Sequence, residues 1–165
     1  MASPHEAIEK YKRNAEIHNS SEALCKQKSL ELLEELSLPK GLLPLDDLTE
    51  IGYNREAGFI WLKQKKKKEH FFSCTGATVS YVPEVTAFVE KHRMKKLTGV
   101  KAKKFLFWVY LSTEIYIDDD PSNYGAIFCK LSGGLSFPLP VSAFEEEEKE
   151  DDDDDDDDDD EKREN

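Results

Sequence analysis

The chain has 165 residues and a formal net charge of −12, a length that fits one domain with a buried core. Its three cysteines, Cys25, Cys74 and Cys129, are odd in number, far apart and without a CxxC pair, which excludes a disulfide framework. No run approaches 18 apolar residues, so no membrane-spanning helix is expected.

The charge is uneven. Residues 145–165 hold 17 acidic and 3 basic residues, a balance of −14, which leaves 18 acidic and 20 basic residues (+2) in residues 1–144. Within that near-neutral body, residues 63–104 carry 12 Lys or Arg against Glu69, Glu84 and Glu90, so one flank is basic. The opening residues have charges throughout and no apolar run of seven, unlike a secretory signal. Together with the cysteine usage this points to a soluble protein in a reducing compartment, the cytoplasm, with the nucleus as the alternative; a monomer is expected.

In chain order, Ser3-Pro4-His5-Glu6 reads as a capping box opening a helix. A thin apolar stripe follows through Ile8, Tyr11, Ala15 and then Ile17 or His18. Asn19-Ser20-Ser21-Glu22 caps a second helix carrying Leu24, Leu30, Leu33 and Leu36, which Leu38-Pro39 stops. That helix should cover one face of a sheet. Gly41-Leu42-Leu43-Pro44 is a rigid apolar connection whose leucines plug the end of the core.

From Asp46 the pattern turns to short β-type runs with turn residues between them: 48–53, 58–63, 70–74, 78–82, 124–131 and 137–141. Asn54-Arg55-Glu56-Ala57 makes a hairpin loop, and Pro138 and Pro140 confine the last run to a sheet edge. Residues 83–96 fit a helix on their charge and capping signals, and a strand on the alternation of Val85, Ala87 and Val89. The longest run, 105–117, is apolar on both faces through Tyr110 and on one face beyond. Fully extended it would span roughly 43 Å at about 3.3 Å per residue, so a bend near Ser112-Thr113 is expected. Its first half calls for cover on both sides of Trp108.

Several motifs occur in a telling order: Gly41-Leu42-Leu43-Pro44, then Tyr53 with Gly58-Phe59 and Trp61, then Leu97-Thr98-Gly99-Val100 leading to Phe105, Phe107, Trp108 and Val109. Phe137-Pro138 and Val141-Ser142-Ala143-Phe144 close the series. Over residues 22–145 the chain resembles the plant domain-of-unknown-function family 538. The resemblance implies a mostly antiparallel β fold with a helix before the sheet, and strand–turn–strand at 86–94, where members often carry glycines. It implies no settled activity. Binding of lipids or other amphipathic ligands, a likeness to lipopolysaccharide-binding folds, and an esterase-like action on chlorophyll are the suggestions attached to the family. Leu139-Pro140 departs from the usual Phe-Pro-Val-Ser close, and the long aspartate tail departs from the family altogether.

The expected fold is therefore α+β and predominantly antiparallel β, a barrel-like or sandwich-like curled sheet after one or two N-terminal helices. Residues 1–21 form a helical extension, 22–144 the domain, and 145–165 a disordered acidic tail with no apolar residue to bury.

For chemistry, the chain has no GxSxG, GxGxxG or GxxxxGK[ST] motif. His70 and Cys74 on one strand would stand about 13 Å apart, too far to share a zinc ion, and His70 reads as a surface or turn histidine. Asp118-Asp119-Asp120 reads as a solvated turn, and Cys74 and Cys129 as small core residues. No metal or other cofactor is implied. Lys65, Lys66, Lys67 and Lys68 form a basic hairpin tip suited to an anionic membrane surface or to nuclear import. Nucleic acid is disfavoured, since aromatics flank this run without interleaving it.

The leading reading is a non-enzymatic binding module for a lipid-like or amphipathic small molecule, lined by Trp61, Phe72, Tyr81, Phe107 and Trp108. The alternatives are an esterase-like hydrolase, and a protein that binds basic partners through its acidic tail.

Overall fold

The computed structural model describes residues 3–73, 76–104, 107–110, 114–118, 120, 122, 125–130 and 136–145, without the side chains of 104, 107–110 and 137. The first helix, α1 (Pro4–Tyr11), starts on the expected box: Ser3 Oγ accepts from Glu6 N–H at 3.1 Å, and Ser3 N–H donates to Glu6 Oε1 at 3.1 Å. It stops at Tyr11, and Glu16–His18 form a short strand, β1, where the sequence had suggested continued helix. Pairing of Ile17 with Gly52 satisfies backbone groups that the thin apolar stripe could not hold in a helix.

The second helix, α2 (Glu22–Glu35), is capped by Ser21, whose hydroxyl accepts from Leu24 N–H at 3.1 Å. It buries Cys25, Ser29, Leu32, Leu33 and Leu36, while Leu24 and Leu30 are only half-buried. The expected leucine stripe is thus turned toward the face that spaces 25, 29, 32, 33 and 36 on one side. Leu42 and Leu43, flanking the end of a short 3-10 turn (Lys40–Leu42), and the following Leu45 close the end of the core as expected.

Ten strands follow one antiparallel plan among the described residues. After β1 come β2 (Leu48–Asn54), β3 (Phe59–Gln64), β4 (Lys68–Phe72), β5 (Ala77–Glu90), β6 (Arg93–Lys104), β7 (Phe107–Tyr110), β8 (Glu114–Tyr116), β9 (Ala126–Lys130) and β10 (Ser136–Pro140). The sheet runs β1-β2-β3-β5-β6-β8-β9-β10, with β4 also beside β5 and β7 also beside β6. No pairing among the described residues joins β1 to β10, so the sheet is curled and open. The proline strand β10 lies at an edge, paired only with β9 in a regular register from Ser136↔Lys130 to Pro140↔Ala126.

Residues 83–96 are strand, turn and strand. β5 continues to Glu90, Lys91 and His92 make the turn, and β6 begins at Arg93. The β5–β6 register breaks where Tyr81↔Val100 gives way to Thr86↔Thr98, so four residues of β5 face Gly99 alone. This bulge lets one long hairpin serve two neighbourhoods. β3 pairs with the second half of β5, while β4 and β7 pair near the opposite end of the ribbon. β7 ends at Tyr110 and β8 starts at Glu114, and the bend expected near Ser112-Thr113 lies outside the described residues. Phe105, Leu106 and residues 111–113 lie outside the described residues.

Two apolar clusters sit on opposite faces of the sheet. The main one joins α2, Leu38–Leu48, Ile60, Leu62, Phe72, Tyr81 and the inward residues of β5, β6, β8 and β9. The other comprises Ile8, Phe59 and Trp61, with Tyr11, Ile17 and Phe88 packed against it. Among the described residues β3 is walled on both faces, its Phe59-Ile60-Trp61-Leu62 run wholly buried, while the cover expected around Trp108 lies outside the described side chains.

Candidate functional site

A cleft of about 490 Å³ opens where the end of α2, the segment after it, the end of β8 and the residues after β10 converge. The chain builds its walls through backbone bonds. At the helix end, Leu36 N–H donates to Leu32 O at 3.0 Å and Leu38 N–H to Leu33 O at 2.9 Å. Between them Ser37 takes a left-handed turn (φ 58°) that throws the chain away from the helix axis. The β5–β6 turn is tied below: His92 N–H donates to Leu36 O at 2.7 Å, and Ile117 N–H donates to His92 O at 2.8 Å. On the far side Val141 N–H donates to Gly125 O at 3.0 Å. Phe144 then inserts its ring against Phe72, centroids 5.2 Å apart.

The floor of the cleft is apolar, made by buried Leu38, Pro39 and Ile117 and half-buried Val141. Its rim is polar and exposed: Glu34, Ser37, Lys40 and Glu145. An apolar base under a few polar groups is the composition of small-molecule sites, and the volume lies in their usual range of about 300–1,000 Å³.

A smaller cleft of about 80 Å³ lies over β1 and β2 and is lined in part by Glu16, Glu35, Tyr53 and Arg55. Arg55 occupies this region. It donates to Glu16 at 2.5 Å and to both Glu35 oxygens at 2.6 and 3.2 Å, and lies 4.5 Å over the Tyr53 ring. Its fork holds the Glu35 carboxyl below the usual carboxylate range. This is a clasp between the β2–β3 turn, β1 and α2, and it is too small for a ligand.

Of the five aromatic residues proposed from sequence, the three with described side chains fall in two clusters, Trp61 in one and Phe72 with Tyr81 in the other. Trp61 is buried in the α1-side cluster, its ring against Gly52, where a Cβ would stand 2.2 Å from Trp61 Cζ2. Its indole N–H donates to Glu50 Oε2 at 2.8 Å. Phe72 and Tyr81 belong to the opposite, main cluster, and Tyr81 OH donates to Leu42 O at 3.2 Å. Phe107 and Trp108 lie on β7, opposite Lys104 and Lys103, and their side chains are outside the described residues. Trp61, Phe72 and Tyr81 are not among the residues lining either cleft. The signal for the lining of the larger cleft was weak in the sequence: Leu38-Pro39 read as a helix stop, and Val141 as the end of an edge strand.

The lysine run lies in the loop between β3 and β4 and at the start of β4, and it is not the hairpin tip expected: among the described residues each of these strands pairs with β5 and neither with the other. Lys68 is drawn to Asp46 at 2.5 Å and Lys67 to Glu69 at 3.5 Å, while Lys65 and Lys66 are exposed without an ionic partner among the described residues. Close by on β4, Phe71 is 56% exposed.

The sequence model of a protein family, described as "Protein of unknown function, DUF538", matches residues 29–145. The chain belongs to this family. Every residue that lines the larger cleft falls inside the matched span. No curated protein and no solved structure matches the chain.

In this DUF538 member the nucleophile candidates are poorly placed for chemistry. Burial pushes the Cys129 thiol up to about 11, and burial, with Glu50 and Glu22 nearby, also raises that of Cys25. Such thiols stay protonated at neutral pH and are weak nucleophiles. Cys74 lies outside the described residues. His70 is buried on the inner face of β4, its ring edge-on to Phe72 at 4.5 Å, and not at the surface as its sequence context suggested. Among the described residues no three His, Cys, Asp or Glu side chains cluster as metal ligands. Asp118 and Asp120 are used in the turn itself: Asp118 accepts from Asp120 N–H, and Asp120 accepts from Ser122 N–H and Oγ–H.

Proposed function

We propose that this domain is a non-enzymatic binding module for an amphipathic small molecule, seated in the cleft between the end of α2 and Val141. The observation that carries the proposal is the coincidence of volume and lining: about 490 Å³, with an apolar floor and a rim of four polar side chains. Binding of an apolar chain there would cover half-buried Val141 and pack on the already buried Leu38, Pro39 and Ile117, while the head group stays at the solvated rim. The backbone bonds that fix the floor keep it open without a ligand, which lowers the cost of ordering on binding.

Native mass spectrometry with organic extraction tests the proposal. The protein is expected to carry an amphipathic molecule of a few hundred daltons, and Val141→Trp, which fills the cleft from its half-buried edge, is expected to lose it while melting within a few degrees of wild type. Retention of the molecule by Val141→Trp would place the site elsewhere. A protein that yields no extractable ligand and shows no saturable uptake of dodecylamine or dodecanoate would refute the binding reading itself.

A further inference from the structure

We propose that the outer face of β4, β5 and β6, with the loop between β3 and β4, docks on an anionic phospholipid surface and inserts Phe71 into it. The proposal does not depend on the cleft. Helix α1 covers only part of the sheet face that looks away from the main core: Ile8 and Tyr11 pack with Phe59, Trp61 and Phe88, from β3 and the second half of β5. Farther along β5 that face changes character. Val79 and Tyr81 enter the main core, so Thr78 and Ser80 point the other way. The register sets Phe71 beside Thr78 and Thr78 beside Lys103, and likewise Glu69 beside Ser80 and Ser80 beside Lys101. Directly paired residues share a face, so Phe71, Lys101 and Lys103 stand on one side of the sheet. Lys103 lies roughly 10 Å from Phe71, two strand spacings away.

Phe71 is 56% exposed, the one large apolar side chain so exposed among the described residues. Three exposed lysines, Lys65, Lys66 and Lys67, precede its strand. Lys67 pairs with Glu69 at 3.5 Å, but both side chains are about half in water, and such a pair is worth little and readily exchanged for a lipid phosphate. Glu69 is the acid set among these five lysines. Lysines alone suit any polyanion; lysines around an exposed ring suit a layer with anionic head groups over an apolar interior. Each lysine near such a surface contributes about fivefold in binding, and the ring leaves water at the interface. The whole chain carries −12, so overall charge does not drive adsorption. With a Debye length of about 8 Å at physiological salt, the local lysines decide.

Co-sedimentation of the full-length protein with phosphatidylcholine vesicles, holding either none or about one-third phosphatidylserine, tests the proposal at about 0.1 M salt. Binding to the anionic vesicles is expected to be about tenfold tighter or more. Lys65→Gln combined with Lys66→Gln should weaken it about twentyfold. Phe71→Thr, which keeps a strand-forming residue at an exposed position, should weaken it about tenfold and melt within a few degrees of wild type. Phe71→Trp gives a readout that does not rely on loss: it should bind as wild type does, and brominated acyl chains should quench its fluorescence more than that of wild type. Equal binding to both vesicle types, or binding to neither, overturns the proposal. So does an indole introduced by Phe71→Trp that the bromines do not quench. If the lysine variant alone loses binding, and the protein prefers duplex RNA to the vesicles, the face is a polyanion site and membrane docking is wrong.

Discussion

Trp61 shows how far one residue can be read from its neighbours. Its burial was legible, because an indole inside a continuous apolar run is seldom left in water. Its face was not. In Phe59-Ile60-Trp61-Leu62 both parities are apolar, so alternation cannot say which pair meets α2 and which meets α1. The structure divides them, Ile60 and Leu62 to the main core and Phe59 and Trp61 to the α1 side. That division separates Trp61 from Phe72 and Tyr81, which the sequence had grouped as one lining. It also gives Glu50 its task. Burial would raise the Glu50 carboxyl, but the Trp61 indole N–H, Lys63 at 3.7 Å and Asn19 outweigh it and hold the group below its ordinary value. A carboxyl lowered by folding adds stability that is complete above the unfolded value, near 4.3, and that is lost as pH falls through the folded one. Glu50→Gln should therefore cost about 1 kcal/mol at pH 7, a gap that persists to about pH 5 and narrows below about pH 4. Urea midpoints of the two proteins across that range are the check; a gap that widens on acidification would show that Glu50 is not held ionised by these partners.

At the scale of elements, the β5–β6 hairpin was the hardest segment to read and does the most to shape the fold. Pro83, the early glutamate and the late lysines form a helix signature over 83–96, opposed by the alternation of Val85, Ala87 and Val89 and by the strand–turn–strand that the family resemblance implied. Pairing decided the matter: those three side chains enter the main core, while Thr86 and Phe88 stand opposite Trp61 and Phe59. Pro83 is tolerated because it sits in the bulge, where the ladder is interrupted and no N–H is required. Gly99 completes the bend at φ +84°, and a Cβ there would meet Glu84 O and Val82 Cγ2, both at 2.8 Å. A side chain at this position is thus strained by backbone and by space together. Gly99→Ala is expected to lower unfolding free energy by about 1–3 kcal/mol, measured by urea denaturation. An alanine variant as stable as wild type would mean that the ribbon can relax its bulge and that the bend is not set there.

For the molecule as a whole, the order of helix, sheet and proline edge strand was readable from caps, turns and alternation, but the covering of the second face was not. The first helix read as weakly apolar, a thin stripe through Ile8, Tyr11, Ala15 and Ile17 or His18 that would dock only loosely. In the structure Ile8 is fully buried between α1 and the Phe59–Trp61 side of the sheet, and Tyr11 stacks within 4.7 Å of Phe59 and 5.8 Å of Phe88. Asn54 fastens the end of the helix, its Nδ2 donating to Tyr11 O at 2.9 Å while its Oδ1 accepts from Ala57 N–H at 3.0 Å. Few apolar residues suffice here because the partner surface is aromatic and large, a property of β3 and β5 that the sequence of α1 cannot reveal. The family match begins at residue 29, after this helix, so its docking is a feature outside the shared span. If α1 folds as one unit with the sheet, Ile8→Ala should remove about 2–4 kcal/mol and shift a single cooperative transition, with Trp61 fluorescence and far-ultraviolet dichroism moving together. If α1 were instead an independent attachment, Trp61 fluorescence would change in an early separate step while the main transition stayed in place. The cleft lies across the main core from α1, so binding of an amphiphile there should survive the first outcome at temperatures below the lowered melting point, and it distinguishes loss of the second-face cover from loss of the fold.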